Sequence, residues 1–496
     1  MSVSTEALTA AIEDILREEL NPTVIDVLPK ADPVFESVIS TSRGVTSAGI
    51  GRGYQVKQVF SANLAGGLKW VDPTGGSGST IKGTSDNTMS HSYILGDQNS
   101  FPAVEETSMV GTVVLTLGMA EAFGNFYLPK KYLEADQLDA AITSAVRMNI
   151  VGAARLVAHH QAYSFYAPSN GSLGVIPDTS ANDIPVSNNV VTITGITGGR
   201  ARYFKPGMHI DVYNAALSTH RNSSFSLIVD RVDLLGTTIG TPIITLICPD
   251  SDIPGDNGIA RTDVLFPKDT YNATRRLPYG LNDWMKSSGD LFVSGSGLAL
   301  ATNPEFKSLV VTSLGAALTE DRLNYYLGLY IDAFGGEGVD LDTLITTRGV
   351  TGGYINNPKW FYGASAATGN FTMERQGKAV DMKGGWVKAD YVYEGRGFKW
   401  LISPFCPEGY LYIIKLGDGN IKRYVPPTAP GSGSDSTFPG DVKFFAPLAG
   451  YKGIFAAVYA NGGGLSPMVQ APFSLMTQNI PTDPRGVVIK GITEMT

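Results

Sequence analysis

Hydrophobic residues recur at the spacing of an α-helix in three stretches of the chain, at residues 6–20, 134–166 and 319–334. Pro22 follows the first stretch and stops it, and the second would form a helix roughly 45 Å long. Asn303 before Pro304 predicts a further helix start, capped by the asparagine. The apolar faces comprise Leu8, Ile12, Ile15 and Leu16 in the first helix, Leu138, Ile142, Ala145, Asn149, Ala153, Leu156 and His160 in the second, widened by Val146, Ile150 and Val157, and Leu323, Leu327, Tyr330, Ile331 and Phe334 in the third.

Short runs of β-branched, aromatic and aliphatic residues between glycine, proline and aspartate turns predict strands. Residues 169–289 contain only such runs, which favours a small separate β domain, a barrel or a sandwich. The third helix leads directly into a strand at 341–346, and this order predicts an α+β layer. Gly417-Asp418-Gly419-Asn420 predicts a hairpin across 410–425. The other predicted strands are 54–60, 67–71, 110–117, 190–196, 208–213, 225–232, 243–248, 400–405, 444–448, 453–459 and 487–492, and 426–439 is predicted to be a loop.

A glycine-, serine- and threonine-rich excursion covers residues 44–102 and predicts a long two-stranded hairpin with a flexible tip. A hairpin of this length buries too little surface to be stable alone, so a neighbouring subunit is the expected support. The candidate residues for that contact are Gly66, Gly67, Lys69, Trp70 and Lys82. Lys57, Lys69 and Lys82 could meet carboxylates of a partner, although ordinary solvated lysines at a strand edge are the simpler interpretation.

Composition narrows the class of protein. The chain has 496 residues, a formal net charge of −8, 57 glycines and only 17% charged residues, so much of its surface must be uncharged. Neither a secretory signal nor an apolar run long enough to span a membrane is found, and Cys248 and Cys406 are too few for a disulfide framework. We expect both to be small buried thiols. The first twenty residues carry five acids against Arg17, which argues against a basic arm for gripping nucleic acid.

Complete catalytic or cofactor motifs are not found in the sequence, so we expect a protein that is not an enzyme and holds no cofactor or metal. His159 and His160 project about 100° apart on the predicted helix, and His160 is expected to be a hydrogen-bonded packing residue. Residues 250–258 match part of a calcium loop, but Pro254 and Arg261 occupy ligand positions, so an Asp-rich turn is favoured. Asp340 and Asp342 are expected to cap or be solvated, not to catalyse. 

The order of these elements resembles the major capsid proteins of tailed double-stranded DNA phages, which have the Hong Kong 97-type fold. Its most specific stretch is residues 384–412, GGWVKADYVYEGRGFKWLISPFCPEGYLY, and residues 340–347 are similar to the helix-to-strand entry of the axial domain. The resemblance implies an α+β fold with an extended hairpin loop, a long spine helix, an axial domain and an inserted β domain. The implied boundaries are an N-terminal arm at 1–43, the extended loop at 44–102, a peripheral domain with the spine helix at 103–168, the inserted β domain at 169–290, a mostly axial domain with some peripheral strands at 291–481, and a C-terminal return strand at 482–496.

The resemblance also implies a function. It suggests a structural subunit that forms pentamers and hexamers of an icosahedral shell around double-stranded DNA, which it contacts without sequence specificity. The partners that it implies are other copies of the chain and possible separate scaffolding, portal and decoration proteins, but no membrane. The protein would assemble in the host cytoplasm and reside in the capsid of the virion. Two alternatives remain open. One is an encapsulin-like nanocompartment shell, and the other is a β-rich carbohydrate-binding protein or hydrolase.

Overall fold

The computed structural model of the chain describes a large part of the sequence. The described residues are 32–47, 54–62, 111–129, 152, 155–156, 158–178, 189–236, 241–249, 259–271, 276–292, 297–334, 341–355, 374–375, 378–379, 390–393, 396–425, 442–444, 456–459 and 465–494.

The described elements are mostly strands. Those in the first half of the chain are β1 Ile39–Thr41, β2 Val45–Ser47, β3 Tyr54–Ala62, β4 Gly111–Gly118, β5 Ala120–Pro129, β6 Gly174–Val175, β7 Val190–Thr194, β8 His209–Tyr213, β9 Leu227–Asp233, β10 Ile243–Ile247 and β11 Val264–Pro267. Those in the second half are β12 Asp290–Leu291, β13 Leu298–Ala299, β14 Leu309–Val311, β15 Thr343–Thr346, β16 Glu374–Arg375, β17 Lys378–Ala379, β18 Asp390–Tyr393, β19 Arg396–Ile402, β20 Leu411–Ile414, β21 Ile421–Tyr424, β22 Val442–Phe444, β23 Ala456–Tyr459, β24 Leu465–Pro481 and β25 Val487–Ile489.

Helices are fewer than strands in the described part. The labelled α-helices are α1 Leu281–Trp284, α2 Glu320–Phe334 and α3 Arg348–Ile355, and residues 158–166 are also helical. Short 3-10 helices lie at Pro33–Glu36, Ala201–Tyr203 and Pro304–Phe306. None of the described helices is long and apolar enough to cross a membrane. The mixed α+β class that the sequence predicted is therefore confirmed.

A six-stranded sheet in the order β14-β25-β20-β15-β19-β18 forms the α+β layer. Its central strand β15 runs parallel to β19 and antiparallel to β20, and all four of its residues are buried. Helix α2 packs the predicted face onto this core through Leu323, Leu327 and Tyr330. Residues spaced three and four apart share one side of a helix, which explains why the sequence pattern located α2 so closely.

Two local predictions in this region are wrong. Strands β20 and β21 do not form a hairpin, because β20 joins the α+β layer while β21 pairs with β1 and β24 in another sheet. Asn303 precedes only a three-residue 3-10 helix, and its side chain makes no capping hydrogen bond. Instead, its Nδ2 donates to the carbonyl oxygen of Ala299 at 3.0 Å.

Strand β24 organises a second sheet and was missed by the sequence pattern. Seventeen residues long, it pairs antiparallel with β21, β22, β23 and β5 along its length. Strand β5, also missed, matches ten consecutive residues of it, from Met468 opposite Pro129 to Thr477 opposite Ala120. Strand β1 extends the sheet by pairing in parallel with β21.

A third sheet, in the order β6-β11-β8-β9-β10-β7, closes into a small antiparallel barrel. Closure comes from two hydrogen bonds between Val175 of β6 and Thr197, which lies three residues after the end of β7. A Cβ at Gly199 would collide with the carbonyl group of Leu173, so the seam requires glycine there. Four of the six strands were predicted, but β6 and β11 were not. The insertion of residues 169–290 as a separate domain stays a prediction.

The described chain divides into two compact units, of which the smaller is Gln58–Leu115. Its described residues belong to the end of β3 and the start of β4, where Gln58 and Phe60 are buried while Val59 between them is 51% exposed. This alternation is the period-two pattern of a strand with one covered face. The other unit contains all the remaining described residues.

Several predictions fall on residues outside the described ranges. They include the N-terminal helix at 6–20, most of the glycine-rich excursion, the calcium-like turn at 250–258 and the loop at 426–439. The long helix predicted at 134–166 is described only in its last part, where 158–166 are helical. Leu156, which the spacing places on the apolar face, is 47% exposed.

Candidate functional site

Four distant segments of the larger unit meet at the turn formed by residues 403–410, and we call this place the junction. The described chain begins there with Asp32, which contacts Ser403. The helix at 158–166, the 3-10 helix Ala201–Tyr203 of the barrel and Glu494 near the C-terminus reach the same turn.

Local sequence explains why the chain turns here. Pro404 and Pro407 have no backbone N–H to donate to a sheet, so β19 ends before them. Gly409 has a φ of 70°, which glycine adopts without steric cost. A Cβ at that position would also approach the carbonyl oxygen of Ile492 to 2.8 Å. The turn is thus fixed by its own residues and by the segment that follows β25.

Asp32 is a fully buried carboxylic acid at the start of the described chain. Its Oδ2 accepts a hydrogen bond from the Ser403 hydroxyl at 2.6 Å, and its Oδ1 accepts from the Val34 N–H at 3.0 Å. Ser403 Oγ in turn accepts from the N–H of Phe405 at 3.1 Å. Burial raises the pKa of Asp32, while the hydrogen bonds from Ser403 and Val34 oppose that rise. These bonds attach the entering segment to the turn.

The barrel is attached to the same turn by an aromatic ring and a cation. The Tyr203 hydroxyl donates to the carbonyl oxygen of Phe405 at 2.7 Å, and the two rings are stacked with centroids 6.5 Å apart. Arg200 donates to the carbonyl oxygen of Pro404 at 3.0 Å and lies 3.6 Å from the Glu408 carboxylate. Since Glu408 is exposed, we attribute most of the attachment to the buried Tyr203 bond.

The hydrogen-bonded histidine of the helix at 158–166 is His159, whereas the sequence had pointed to His160. His159 Nε2 donates to the carbonyl oxygen of Arg202 at 2.9 Å, and its ring packs edge-on against Phe405 at 5.3 Å. Burial lowers the pKa of His159 to about 3, with the nearby positive charges of Arg202 and Lys205 acting in the same direction. Burial also lowers the pKa of His160 to about 4. Both rings are therefore neutral at pH 7.

The thiol at the junction is not suited to nucleophilic chemistry. Burial raises the pKa of Cys406, and its Sγ donates weakly to the carbonyl oxygen of Tyr410 at 3.7 Å. Cys248 is a buried thiol as well, and neither cysteine is in a disulfide, which confirms the expectation for both. Across the described ranges, no group of three or more His, Cys, Asp or Glu side chains is placed to hold a metal ion.

Two carboxylates hold neighbouring turns in place. Glu494 accepts from the N–H of Gly409 at 2.7 Å and from the hydroxyl of Thr347. Asp342 accepts from the N–H groups of Leu416 and Gly417, both at 2.7 Å. Asp342 therefore organises a turn, in keeping with a structural role, and Asp340 lies outside the described residues.

Helix α2 exposes large apolar side chains on the side away from its packed face. Tyr325 is 61% exposed and Leu329, one turn later, is 40% exposed. The packed face of the same helix carries Leu323 and Leu327, which are fully buried. We call Tyr325 and Leu329 the α2 outer face. Another exposed leucine, Leu235 at 76%, lies just after β9 of the barrel.

The predicted contact residues Gly66, Gly67, Lys69, Trp70 and Lys82 all lie outside the described residues, and their role stays a prediction. Sequence reasoning missed the residues of the junction, because their partners are remote in the chain. Tyr203 bonds a residue 202 positions away, and Asp32 bonds one 371 positions away. The only available signal was the proline- and glycine-containing turn within the stretch that carried the resemblance.

No family model matches the chain, and no curated protein matches it either. Among solved structures, it is similar to the capsid asymmetric unit of cyanophage A-1(L), with 14% identity, a TM-score of 0.41, and 92% of this chain and 90% of that chain covered. It is also similar to the procapsid of satellite phage P4, with 10% identity, a TM-score of 0.32, and 95% and 90% covered. The SrpI encapsulin of Synechococcus elongatus is matched over 39% of this chain and 56% of that chain, with 13% identity and a TM-score of 0.21. Both of these phage structures are matched over most of this chain and over most of their own length.

Proposed function

We propose that the protein is the major capsid subunit of a tailed double-stranded DNA phage and has no enzymatic activity. Copies of it form pentamers and hexamers of an icosahedral shell that encloses the genome without sequence-specific contacts. Its partners are other copies of itself, together with separate scaffolding, portal and decoration proteins. It assembles in the host cytoplasm and resides in the virion.

The proposal rests on one helix, α2, which buries one apolar face in the core and leaves apolar side chains of another face in solvent. Inside the larger unit, the α+β layer buries its own apolar residues, including both Leu323 and Leu327 of α2. The α2 outer face nevertheless leaves an aromatic ring and a leucine in solvent one helical turn apart. Exposed apolar groups of this kind mark sites of protein association. A closed symmetric shell covers such a face repeatedly with the same surface of another copy.

The junction fits the same role. A shell subunit must keep its shape while its extended segments contact neighbours, so the points where those segments leave the folded part need firm attachment. Asp32 and Ser403 supply that attachment for the arm at 1–43, and Tyr203 supplies it for the barrel. On this proposal, the extended loop at 44–102 and its residues Gly66 and Lys69 contact the neighbouring subunit.

The test is sedimentation velocity of the protein expressed alone and with a candidate scaffold, compared with a variant of the α2 outer face. The wild type is expected to sediment as shells or as rings of five and six. Tyr325→Asp places a charge on the apolar face and is expected to lower the assembled fraction by roughly tenfold or more, because burying an unpaired charge is costly. Tyr325→Phe keeps the apolar ring and is the matched control, expected to assemble.

Other outcomes would favour the other functions. Closed shells that enclose a protein cargo in place of DNA would favour a nanocompartment. A monomer in both preparations that binds glycans would favour the carbohydrate-binding alternative. Assembly of Tyr325→Asp at the wild-type level would show that the α2 outer face is not an interface between copies, and would contradict the proposal.

A further inference from the structure

A cavity of about 290 Å³ lies beside the junction, within the larger unit. Its wall includes Pro407 and Tyr410 of the 403–410 turn, Lys490 after β25, and three serines, Ser169, Ser287 and Ser288. Lys286 also lines it, and its Nζ donates to the carbonyl oxygen of Asp290 at 2.9 Å. The wall therefore offers cations and hydroxyl donors, which suits an anion.

Lys490 is the feature that points to a ligand. Its side chain is partly buried, and its Nζ lies 5.3 Å from the centre of the Tyr410 ring. Within the described ranges no carboxylate oxygen lies within 4.0 Å of that nitrogen. Burial also lowers the pKa of Lys490. An ammonium that has lost water without gaining an anionic partner is costly, and an incoming carboxylate would offset that cost.

We propose that this cavity is a docking site for acidic side chains of an N-terminal segment of this chain, residues 6–19, from the same subunit or from a neighbouring copy. The segment carries Glu6, Glu13, Asp14, Glu18 and Glu19 against a single Arg17. The negative charges of residues 6–19 thus complement the partly buried ammonium group of Lys490. Because the contact can form within one subunit, it does not depend on the proposed shell function.

The reach of the chain permits this contact. The described chain begins at Asp32, which is hydrogen-bonded to Ser403, four residues before the Pro407 that lines the cavity. Twelve residues, 20–31, separate the acidic segment from Asp32. Extended, they span at most about 40 Å, which is far more than the turn requires.

A phosphate group of nucleic acid is the competing ligand, and the observations favour a carboxylate. The chain has a net charge of −8, which repels a polyanion over long range. Phosphate recognition normally uses several cations or the planar fork of arginine. Two lysines are among the described residues that line the cavity, and Lys286 already donates to a backbone carbonyl oxygen.

The experiment uses the full-length protein in its dissociated form and a zero-length carbodiimide crosslinker, which joins an amine to a carboxylate with loss of water. Mass spectrometry of the digest is expected to show Lys490 joined to acids of residues 6–19. Mixing isotope-labelled and unlabelled chains distinguishes a link within one subunit from a link between copies. A Lys490→Met variant is expected to lose the link, and Lys399→Met, which removes a partly buried lysine of β19, is the control that keeps it.

A second measurement keeps the proposal testable if Lys490→Met does not fold. The variant Glu13→Gln/Asp14→Asn/Glu18→Gln/Glu19→Gln changes only the acidic segment, and the methylation rate of Lys490 is measured in it and in the wild type. A rise of roughly tenfold is expected at Lys490, with no change at Lys399, because the lost contact exposes the amine. Equal rates in the two proteins would overturn the proposal. Protection of Lys490 by inorganic phosphate or duplex DNA in both proteins, without dependence on the segment, would also overturn it and would assign the cavity to phosphate.

Discussion

Removing one hydroxyl from the junction should destabilise the subunit measurably. Tyr203 is fully buried, and its hydroxyl donates a hydrogen bond to the carbonyl oxygen of Phe405 at 2.7 Å. Burial raises the pKa of Tyr203 well above its ordinary value, so the hydroxyl keeps its proton and can donate at pH 7. Tyr203→Phe keeps the ring stacking and leaves that carbonyl without its donor. Since Phe405 is itself 3% exposed, water cannot replace the donor, and the loss is about 2 kcal/mol.

Tyr330→Phe provides a matched control in the same unit. Tyr330 is equally buried, but its hydroxyl has no hydrogen-bond partner among the residues that the structure describes. Deleting an unpaired buried hydroxyl costs no hydrogen bond and removes a desolvated polar group, so the change should be neutral or stabilising.

Urea unfolding of the dissociated subunit, followed by tryptophan fluorescence, measures both variants against the wild type. The expected result is a clear loss for Tyr203→Phe and none for Tyr330→Phe. Equal losses for the two variants would show that the ring environments, not the bond to Phe405, determine the cost. A negligible effect of Tyr203→Phe would show that the barrel is not held at the junction by this contact.

Three further predictions concern Asp32, Gly199 and the pair Gly66 and Gly67. Because burial raises the pKa of Asp32, the contribution of this group to stability is present at low pH and is lost as the pH rises through its folded-state pKa. Asp32→Asn should therefore make the urea midpoint less dependent on pH. An unchanged slope of the midpoint against pH would contradict this. Gly199→Ala places a Cβ against the backbone where the barrel closes, so it should lower the free energy of unfolding by about 2 kcal/mol or more. Gly397 has open space around it, so Gly397→Ala should change that free energy by no more than about 0.5 kcal/mol. Similar melting temperatures for the two variants would contradict the close contact at Gly199. Replacing Gly66 and Gly67 with valine should reduce assembly seen by sedimentation while leaving the unfolding midpoint unchanged, and aggregation of unfolded subunits would place that segment in the core instead.

Local periodicity predicted the elements whose environment is simple. Helix α2 has one face on the core and one in solvent, and its pattern of apolar residues therefore identified both its extent and its buried side. The strand β15 was also located, because Leu344 and Ile345 are apolar and the threonines on either side of them favour a strand.

Pairing between distant strands could not be predicted in the same way. Strand β24 contains prolines at 467, 472 and 481, which in sequence terms argue against a long strand. The turn at Gly417-Asp418-Gly419-Asn420 favoured a local hairpin, yet β20 and β21 find their partners in different sheets. Choice of partner depends on tertiary packing, which a single sequence pattern does not record.

The junction escaped sequence reasoning for a related reason. Asp32, Ser403 and Tyr203 are individually ordinary residues, and their role arises only when segments hundreds of residues apart meet. Burial then changes their chemistry, raising the pKa of Asp32 and of Tyr203. Such effects belong to the folded state and leave no local motif.

Cryo-electron microscopy of the assembled material would show whether copies of this chain close into a shell. We expect closed particles built of fivefold and sixfold rings, with Tyr325 and Leu329 of α2 covered by a neighbouring copy. A stable monomer under every condition, or an open aggregate in which the α2 outer face stays in solvent, would contradict it.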